Sequence, residues 1–218
     1  MLPLFHDFTD ETVLVFGGGS VGLRKARFFA REARTVVVGR QFEASSDAVE
    51  ASLIRTHLEP EEIRGWFDRA SPALVVAATD DGALNDAIEA EAQRRGVLVN
   101  RADRSGEREA GSVVVPATVR DGEVVAAVAT GGRSPALSKH LRERIEPLLD
   151  GADAMADLTA DVRKELKSQT VPPEDRRRAV RAVVESDAVR NAIAAGRNGR
   201  EEANAAVKDA LDYSLNRG

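Results

Sequence analysis

Cysteine is absent from the 218 residues, which excludes a disulfide framework, a thiolate nucleophile and any cysteine-ligated zinc or iron-sulfur centre. Histidine is nearly as scarce. His6, His57 and His140 lie too far apart in sequence to imply a preformed site, so no resident metal is expected. No apolar run approaches the roughly 20 residues that span a bilayer, and no basic stretch precedes an apolar one at the N-terminus. A soluble cytoplasmic protein with no membrane partner is the expectation. A clustered basic face is also missing: the net charge is -5 and the pI about 5.4, so nucleic acid is not an expected partner. Lysine is confined to Lys25, Lys139, Lys164, Lys167 and Lys208, whereas arginine is abundant and supplies planar donors suited to carboxylates.

What the chain has is glycine in one telling place. Thr12 to Phe16 (TVLVF) is rich in strand-forming residues and is followed at once by Gly17, Gly19 and Gly22 in G-x-G-x-x-G register. This predicts a strand, a tight turn and a helix from about Val21 to Glu32. In that arrangement the first glycine makes the turn, the second admits a pyrophosphate to the backbone, and the third lets helix and strand pack closely. The free N–H groups of the helix start would hold the phosphates.

The rest of the first half alternates in the manner of a parallel α/β sheet. Strands are predicted at Thr35–Val38, at Leu53–Leu58, at Ala73–Ala78 and at Val97–Asn100, with a helix from about Gly82 to Arg95. The second strand ends in Gly39, Arg40 and Gln41, where an NAD-binding fold usually carries an acid for the ribose. Arg40 is either a partner for a 2′-phosphate or a solvated surface residue, so NADP is not excluded. Ligands bind beyond the carboxyl ends of such strands, which makes Thr79 and Asp80 candidate cofactor contacts as well as candidate caps for the following helix. Asn100, Arg101, Asp103 and Arg104 leave the next strand toward the same crevice, and Gly106–Gly111 reads as a mobile polar loop.

Ser112–Val119 and Glu123–Ala129 alternate as two strands around Asp121-Gly122, a hairpin signal, with Pro116 marking an edge or a bulge. A partner subunit is the economical cover for that edge, so a homodimer is expected. Gly131, Gly132, Arg133 and Ser134 form a second glycine turn, with Ser134 as N-cap and Pro135 opening a helix to about Leu149. Beyond Gly151 only helical spacing remains, as in Leu158, Val162 and Leu166. The organisation expected is therefore a Rossmann-like α/β domain over 1–111, a central β-hairpin dimerisation segment over 112–150, and a small C-terminal helical domain over 151–218.

FGGGSVGLRKARFF, VVAATDDGALNDAI, VLVNRADRSG and GGRSPALSKHLRERIE, in that order, resemble the precorrin-2 dehydrogenase family, the dehydrogenase and ferrochelatase module of siroheme synthesis. The resemblance is strong over about residues 1–150. It implies NAD-dependent oxidation of the tetrapyrrole precorrin-2 to sirohydrochlorin, in some members followed by insertion of Fe2+ as a second substrate to give siroheme, and it implies homodimers. It puts the family's key aspartate on Asp103, as catalytic base or orienter. The cofactor contacts fall on Gly17, Gly18, Gly19, Ser20 and Val21 and on Arg40, Gln41 and Phe42. The substrate carries carboxylates around its rim, for which Asn100, Arg101, Arg104, Arg108 and the turn Gly131–Ser134 are candidates. Two other readings stay open on the residues alone: a regulatory subunit that senses NAD without chemistry, or a dehydrogenase of the same fold acting on another small acid.

Overall fold

A computed structural model describes residues 3–43, 49–104 and 111–215, with side chains to residue 212. Two compact units emerge: the chain up to Val115 with Gly131–Arg133, and Pro116–Thr130 with Ser134 onward.

The first unit is a five-stranded parallel sheet. Its strands are β1 (Thr12–Phe16), β2 (Arg34–Gly39), β3 (Ser52–Arg55), β4 (Leu74–Ala77) and β5 (Leu98–Arg101), in the spatial order β3-β2-β1-β4-β5. The order reverses between β1 and β4. In an open α/β sheet, that reversal is where a crevice opens beyond the carboxyl ends. β1 and β4 are buried along their whole length, as apolar runs covered on both faces must be. Helix α1 (Ser20–Phe29) lays Leu23, Ala26 and Phe29 against Val13, Val15, Val37 and Val76 on one face. Helices α2 (Ile63–Ala70) and α3 (Gly82–Arg95) bury Ile63, Phe67, Leu84, Ile88 and Ala92 against Leu14, Phe16, Val38 and Val75 on the other.

Two expected strands are shorter than their sequence patterns. β3 covers only Ser52–Arg55 and is exposed throughout, because as the outermost strand it packs on the sheet along one edge. The alternation from Ser112 to Val119 yields a strand only from Ala117, immediately after Pro116. Before the proline, which cannot donate to a ladder, Ser112 makes a single parallel bridge with Val99 of β5.

The second unit opens with the antiparallel hairpin of β6 (Ala117–Asp121) and β7 (Val124–Val128). Its turn is fastened from outside: the Glu123 N–H donates to Asp153 Oδ1 at 2.8 Å, and the Asp153 N–H donates to Asp121 Oδ2 at 3.1 Å. Gly122 takes φ 52°, and a Cβ there would lie 2.0 Å from the Asp153 carboxyl carbon, so the turn needs glycine twice over. Helix α4 (Pro135–Ile145) follows, then α5 (Ala152–Ser168), α6 (Pro173–Glu185), α7 (Asp187–Ala194) and α8 (Arg200–Leu215). Leu158, Val162, Leu166, Ala179, Val183, Val189 and Ala203 make their common core, as the four-residue spacing in α5 predicts. Among the described residues no helix is long and apolar enough to cross a membrane.

Candidate active site

The glycine turn is built by close backbone contact. Gly17 sits at φ 118°, and a Cβ on it would lie 2.2 Å from the Ala78 carbonyl oxygen at the end of β4. A Cβ on Gly18 would meet the Gln41 carbonyl oxygen at 2.1 Å and the Phe42 ring at 2.7 Å, and one on Gly22 would meet the Gly17 carbonyl oxygen at 2.0 Å. Gly19 differs. Nothing lies within 4 Å of its Cβ position, and it stands as the N-cap of α1 without any side-chain cap. The turn thus has three crowded glycines fixing its path and one bare glycine at the helix start. That combination leaves the backbone of the turn free of side chains of its own, as a dinucleotide pyrophosphate approaching it needs.

Around this cradle, Ser20 and Arg40 are exposed and Val21 and Phe42 half-buried. The segment after β2 lies directly on the turn: besides the Gln41 contact, the Glu43 N–H donates to Gly18 O at 3.1 Å, and Glu43 Oε1 accepts from the Ser20 N–H at 2.8 Å. Glu43 was not among the residues expected from sequence. Its signal was weak, since it falls four positions beyond the end of β2 rather than at it.

Thr79 and Asp80 follow β4 at the crevice, but the helix cap is Asp81, whose Oδ1 accepts from the N–H groups of Ala83 and Leu84 at 2.8 and 3.1 Å. Thr79 instead engages Asn85. Its hydroxyl donates to Asn85 Oδ1 at 2.8 Å, its N–H approaches the same oxygen at 3.2 Å, and Asn85 Nδ2 returns a bond to Thr79 O at 3.0 Å. Asp80 is exposed.

The third component lies where β5 ends. Arg101 is buried, with its side chain 6% exposed, and its guanidinium is shared among three carboxylates. It grips Asp103 with two parallel bonds, Nε to Oδ1 at 2.9 Å and Nη2 to Oδ2 at 2.8 Å, and gives Nη1 to Asp86 at 2.8 Å and to Glu89 at 2.6 Å. Arg104, half-exposed, adds a bond to Asp86 at 2.7 Å. The Arg101 fork, helped by the Asn85 side chain, holds the Asp103 carboxyl below the usual carboxylate range despite partial burial. The same partners raise the guanidinium further above its ordinary value. Arg101 thus commits four of its five N–H donors to carboxylates inside the protein, which leaves one Nη2 hydrogen for any other acceptor. Asn100 is buried; its Nδ2 donates to Val113 O at 2.8 Å, while its Oδ1 finds no donor among the described residues.

Asn85, Asp86 and Glu89 of α3 escaped the sequence reading. Their signal was available: polar side chains at positions adjoining Leu84, Ile88 and Ala92, on the face of a helix that must cover a sheet.

Of the second glycine turn, Gly131 and Gly132 take φ 64° and 80°, and Ser134 caps α4 by accepting from the Leu137 N–H at 3.3 Å. The Thr130 hydroxyl in turn accepts from the Ser134 N–H at 3.2 Å. Arg133 is exposed, as is His140. Arg108 and most of the loop Gly106–Gly111 lie outside the described residues.

Comparison with known proteins adds an independent line. The family model described as putative NAD(P)-binding matches residues 4–117. A precorrin-2 dehydrogenase of Methanosarcina barkeri is 34% identical over 198 residues, covering 87% of this chain and 85% of the relative. A siroheme synthase of Stutzerimonas stutzeri is 35% identical over 180 residues, covering 81% of this chain and 37% of the relative, so the chain spans well under half the length of that larger protein. Among solved structures, SirC, a precorrin-2 dehydrogenase, superposes with a TM-score of 0.70 at 21% identity over 96% of this chain and all of that one.

Proposed function

The chain belongs to the precorrin-2 dehydrogenase family, and from that premise we propose that it oxidises precorrin-2 to sirohydrochlorin with NAD as acceptor. The observation that carries the proposal is the pairing, in one α/β unit, of a closely packed glycine turn, open at Gly19, with a clamped carboxylate at the end of β5. NAD, when bound, supplies the acceptor for a hydride. Gly17, Gly18, Gly19, Ser20 and Val21 would hold its pyrophosphate, with Arg40, Gln41, Phe42, Thr79 and Asp80 lining the way to it.

Oxidation also releases a proton from the macrocycle, and here Asp103 has a defined part. Because Arg101 keeps its carboxyl low, Asp103 is ionised at neutral pH and is a weak proton sink. It serves as a fixed anion that orients a pyrrole N–H and offsets the positive charge left as hydride departs, with the proton passing on to water. Asp86 and Glu89 of α3 hold the Arg101 guanidinium, which in turn keeps that anion from turning away. Arg104, Arg133, Gly131, Gly132 and Ser134 are the proposed holders of rim carboxylates, and Asn100 Oδ1 is an acceptor still available to a substrate or cofactor N–H. A homodimer built on the β6–β7 hairpin, working in the cytoplasm without nucleic acid or membrane partners, completes the proposal.

An anaerobic assay of the purified protein with precorrin-2 and NAD tests it by absorbance. Sirohydrochlorin formation that depends on both protein and NAD is the expected outcome. Dinucleotide binding without turnover would instead favour a sensor, and turnover of a different small acid a relative of altered specificity. Adding ferrous iron to the same cuvette reads out chelation: an accelerated shift to siroheme makes the protein bifunctional, and the uncatalysed rate makes it a dehydrogenase only.

A further inference from the structure

The second strand ends without the acid that NAD-binding folds use to read the ribose, yet a carboxylate reaches the glycine turn from further along the chain. We infer that Glu43 reads the charge at the 2′ position of the dinucleotide's adenosine ribose and sets a preference for NAD over NADP. This rests on the reading that the glycine turn holds the dinucleotide.

Glu43 is tied to the turn at both ends. Its N–H donates to Gly18 O, and its carboxylate accepts from the Ser20 N–H at the start of α1. Gly18 has no room for a side chain because the Gln41 carbonyl and the Phe42 ring already fill that space, and Gly39 approaches Gly18 N as closely, with its Cβ position 2.8 Å away. The backbone from Gly39 to Glu43 is thereby pressed onto the turn, which fixes where the carboxylate can go. The Ser20 N–H is one of those a pyrophosphate would claim, and two anions cannot share its single proton. Glu43 must release it, but its backbone tether keeps the carboxylate beside the turn, on the β2 side where the adenosine ribose lies in this fold class. There it is an acceptor for two ribose hydroxyls and a repulsive neighbour for a 2′-phosphate. The competing cations are the exposed Arg40 and Arg55, the latter with its guanidinium 5.9 Å from the Phe42 ring centroid. They would favour NADP, so the sign of the preference is a real question about this chain.

The test is a calorimetric titration of the full chain with NAD and with NADP, in the wild type, Glu43→Gln and Arg40→Ala. Glu43 is exposed and Glu43→Gln is isosteric, so its thermal melt should match the wild type and report an intact fold. The wild type should bind NAD more tightly than NADP. Glu43→Gln should shift the ratio of the two dissociation constants toward NADP by roughly tenfold or more, the scale of a charge-assisted hydrogen bond gained or lost. Arg40→Ala, which removes an exposed competing cation, should move the ratio the other way, toward NAD, and by less than Glu43→Gln does. An unchanged ratio in Glu43→Gln, a wild type that prefers NADP, or a ratio governed by Arg40 overturns the inference while leaving the cofactor site standing. A folded wild type that binds neither dinucleotide overturns both.

Discussion

The glycine turn and the Asp103 corner lie at the carboxyl ends of one parallel sheet, yet they are made by opposite means. The turn is backbone packed on backbone: its contacts run from Gly17 to Ala78 O, from Gly18 to Gln41 O and from Gly22 to Gly17 O, and its specificity lies in side chains that are missing. The corner is side chain on side chain, one buried guanidinium balancing Asp103, Asp86 and Glu89. The first tolerates no added atom at Gly17, Gly18 or Gly22. The second tolerates no removed charge, because a buried pair that loses one partner leaves the other without compensation. A phosphate needs fixed N–H groups that are open to it, and a departing hydride needs a fixed anion, so each end is built in the material its task requires.

The contrast breaks first at Gly22. Gly22→Ala would drive a methyl into a backbone carbonyl that cannot move without displacing Gly17 and, through it, β4. We expect a loss of several kcal/mol, on the order of 3 or more, and loss of measurable NAD binding, checked by chemical denaturation and calorimetry. Gly19→Ala is the matched control. With open space around its Cβ position it should fold normally and weaken only dinucleotide binding.

The corner breaks at Arg101. Arg101→Met leaves three carboxylates facing one another with only Arg104 nearby and should cost about 3–5 kcal/mol. The sign with pH follows from Asp103. Its folded pKa lies below its unfolded value, so it contributes stability above the unfolded value that is lost as pH falls through the folded one. Without Arg101 that carboxyl rises, and the acid limb of the kcat/KM profile should move to higher pH. Arg101→Lys, which keeps the charge but not the fork, should recover part of the stability and less of the profile. An acid limb that stays in place in both variants would separate Asp103 from the reaction. A narrower cut is Asp103→Ala, in which Arg101 keeps Asp86 and Glu89: turnover should fall by about a hundredfold or more while NAD binding stays within about twofold.

The two ends also differed in how far the sequence could reveal them. G-x-G-x-x-G after TVLVF located the turn, its strand and the start of its helix to within a residue, because backbone demands are written in consecutive positions, whereas the helix ends at Phe29, three residues before the expected Glu32. The corner depends on residues 12 and 15 apart, and pairing between Arg101 and α3 has no local signature. Nothing beside Arg101 in the sequence marks its burial, and Asn85 and Glu89 looked like ordinary helix residues. The same reason hid Glu43, whose partner Ser20 is 23 positions away, and moved the cap from Thr79 or Asp80 to Asp81. Asp103 was reached through family likeness, since a loop aspartate carries no periodicity.

The mildest test concerns a charge cluster on α3 that resembles the corner in composition but stands near the surface. Glu91 accepts from Arg94 at 2.6 and 2.8 Å and from Arg95 at 2.5 Å, and Arg95 carries the link on to Asp68 of α2 at 2.7 Å. The Arg94 hydrogen bonds lead in lowering the Glu91 pKa to about 2, with Arg95 adding to them against a desolvation cost. The folded value is thus below the ordinary 4.5, so the contribution is complete above about pH 4.5 and fades as pH falls toward 2. Arg94 is 56% exposed, and solvent screening holds the gain to about 1 kcal/mol. Glu91→Gln should therefore lower the melting temperature by roughly 2–4 °C at neutral pH, with the gap to wild type closing as the acid range is entered. If the loss at neutral pH instead approached that of Arg101→Met, burial would not be what distinguishes the two clusters, and the Asp103 corner would owe its strength to the number of its partners alone.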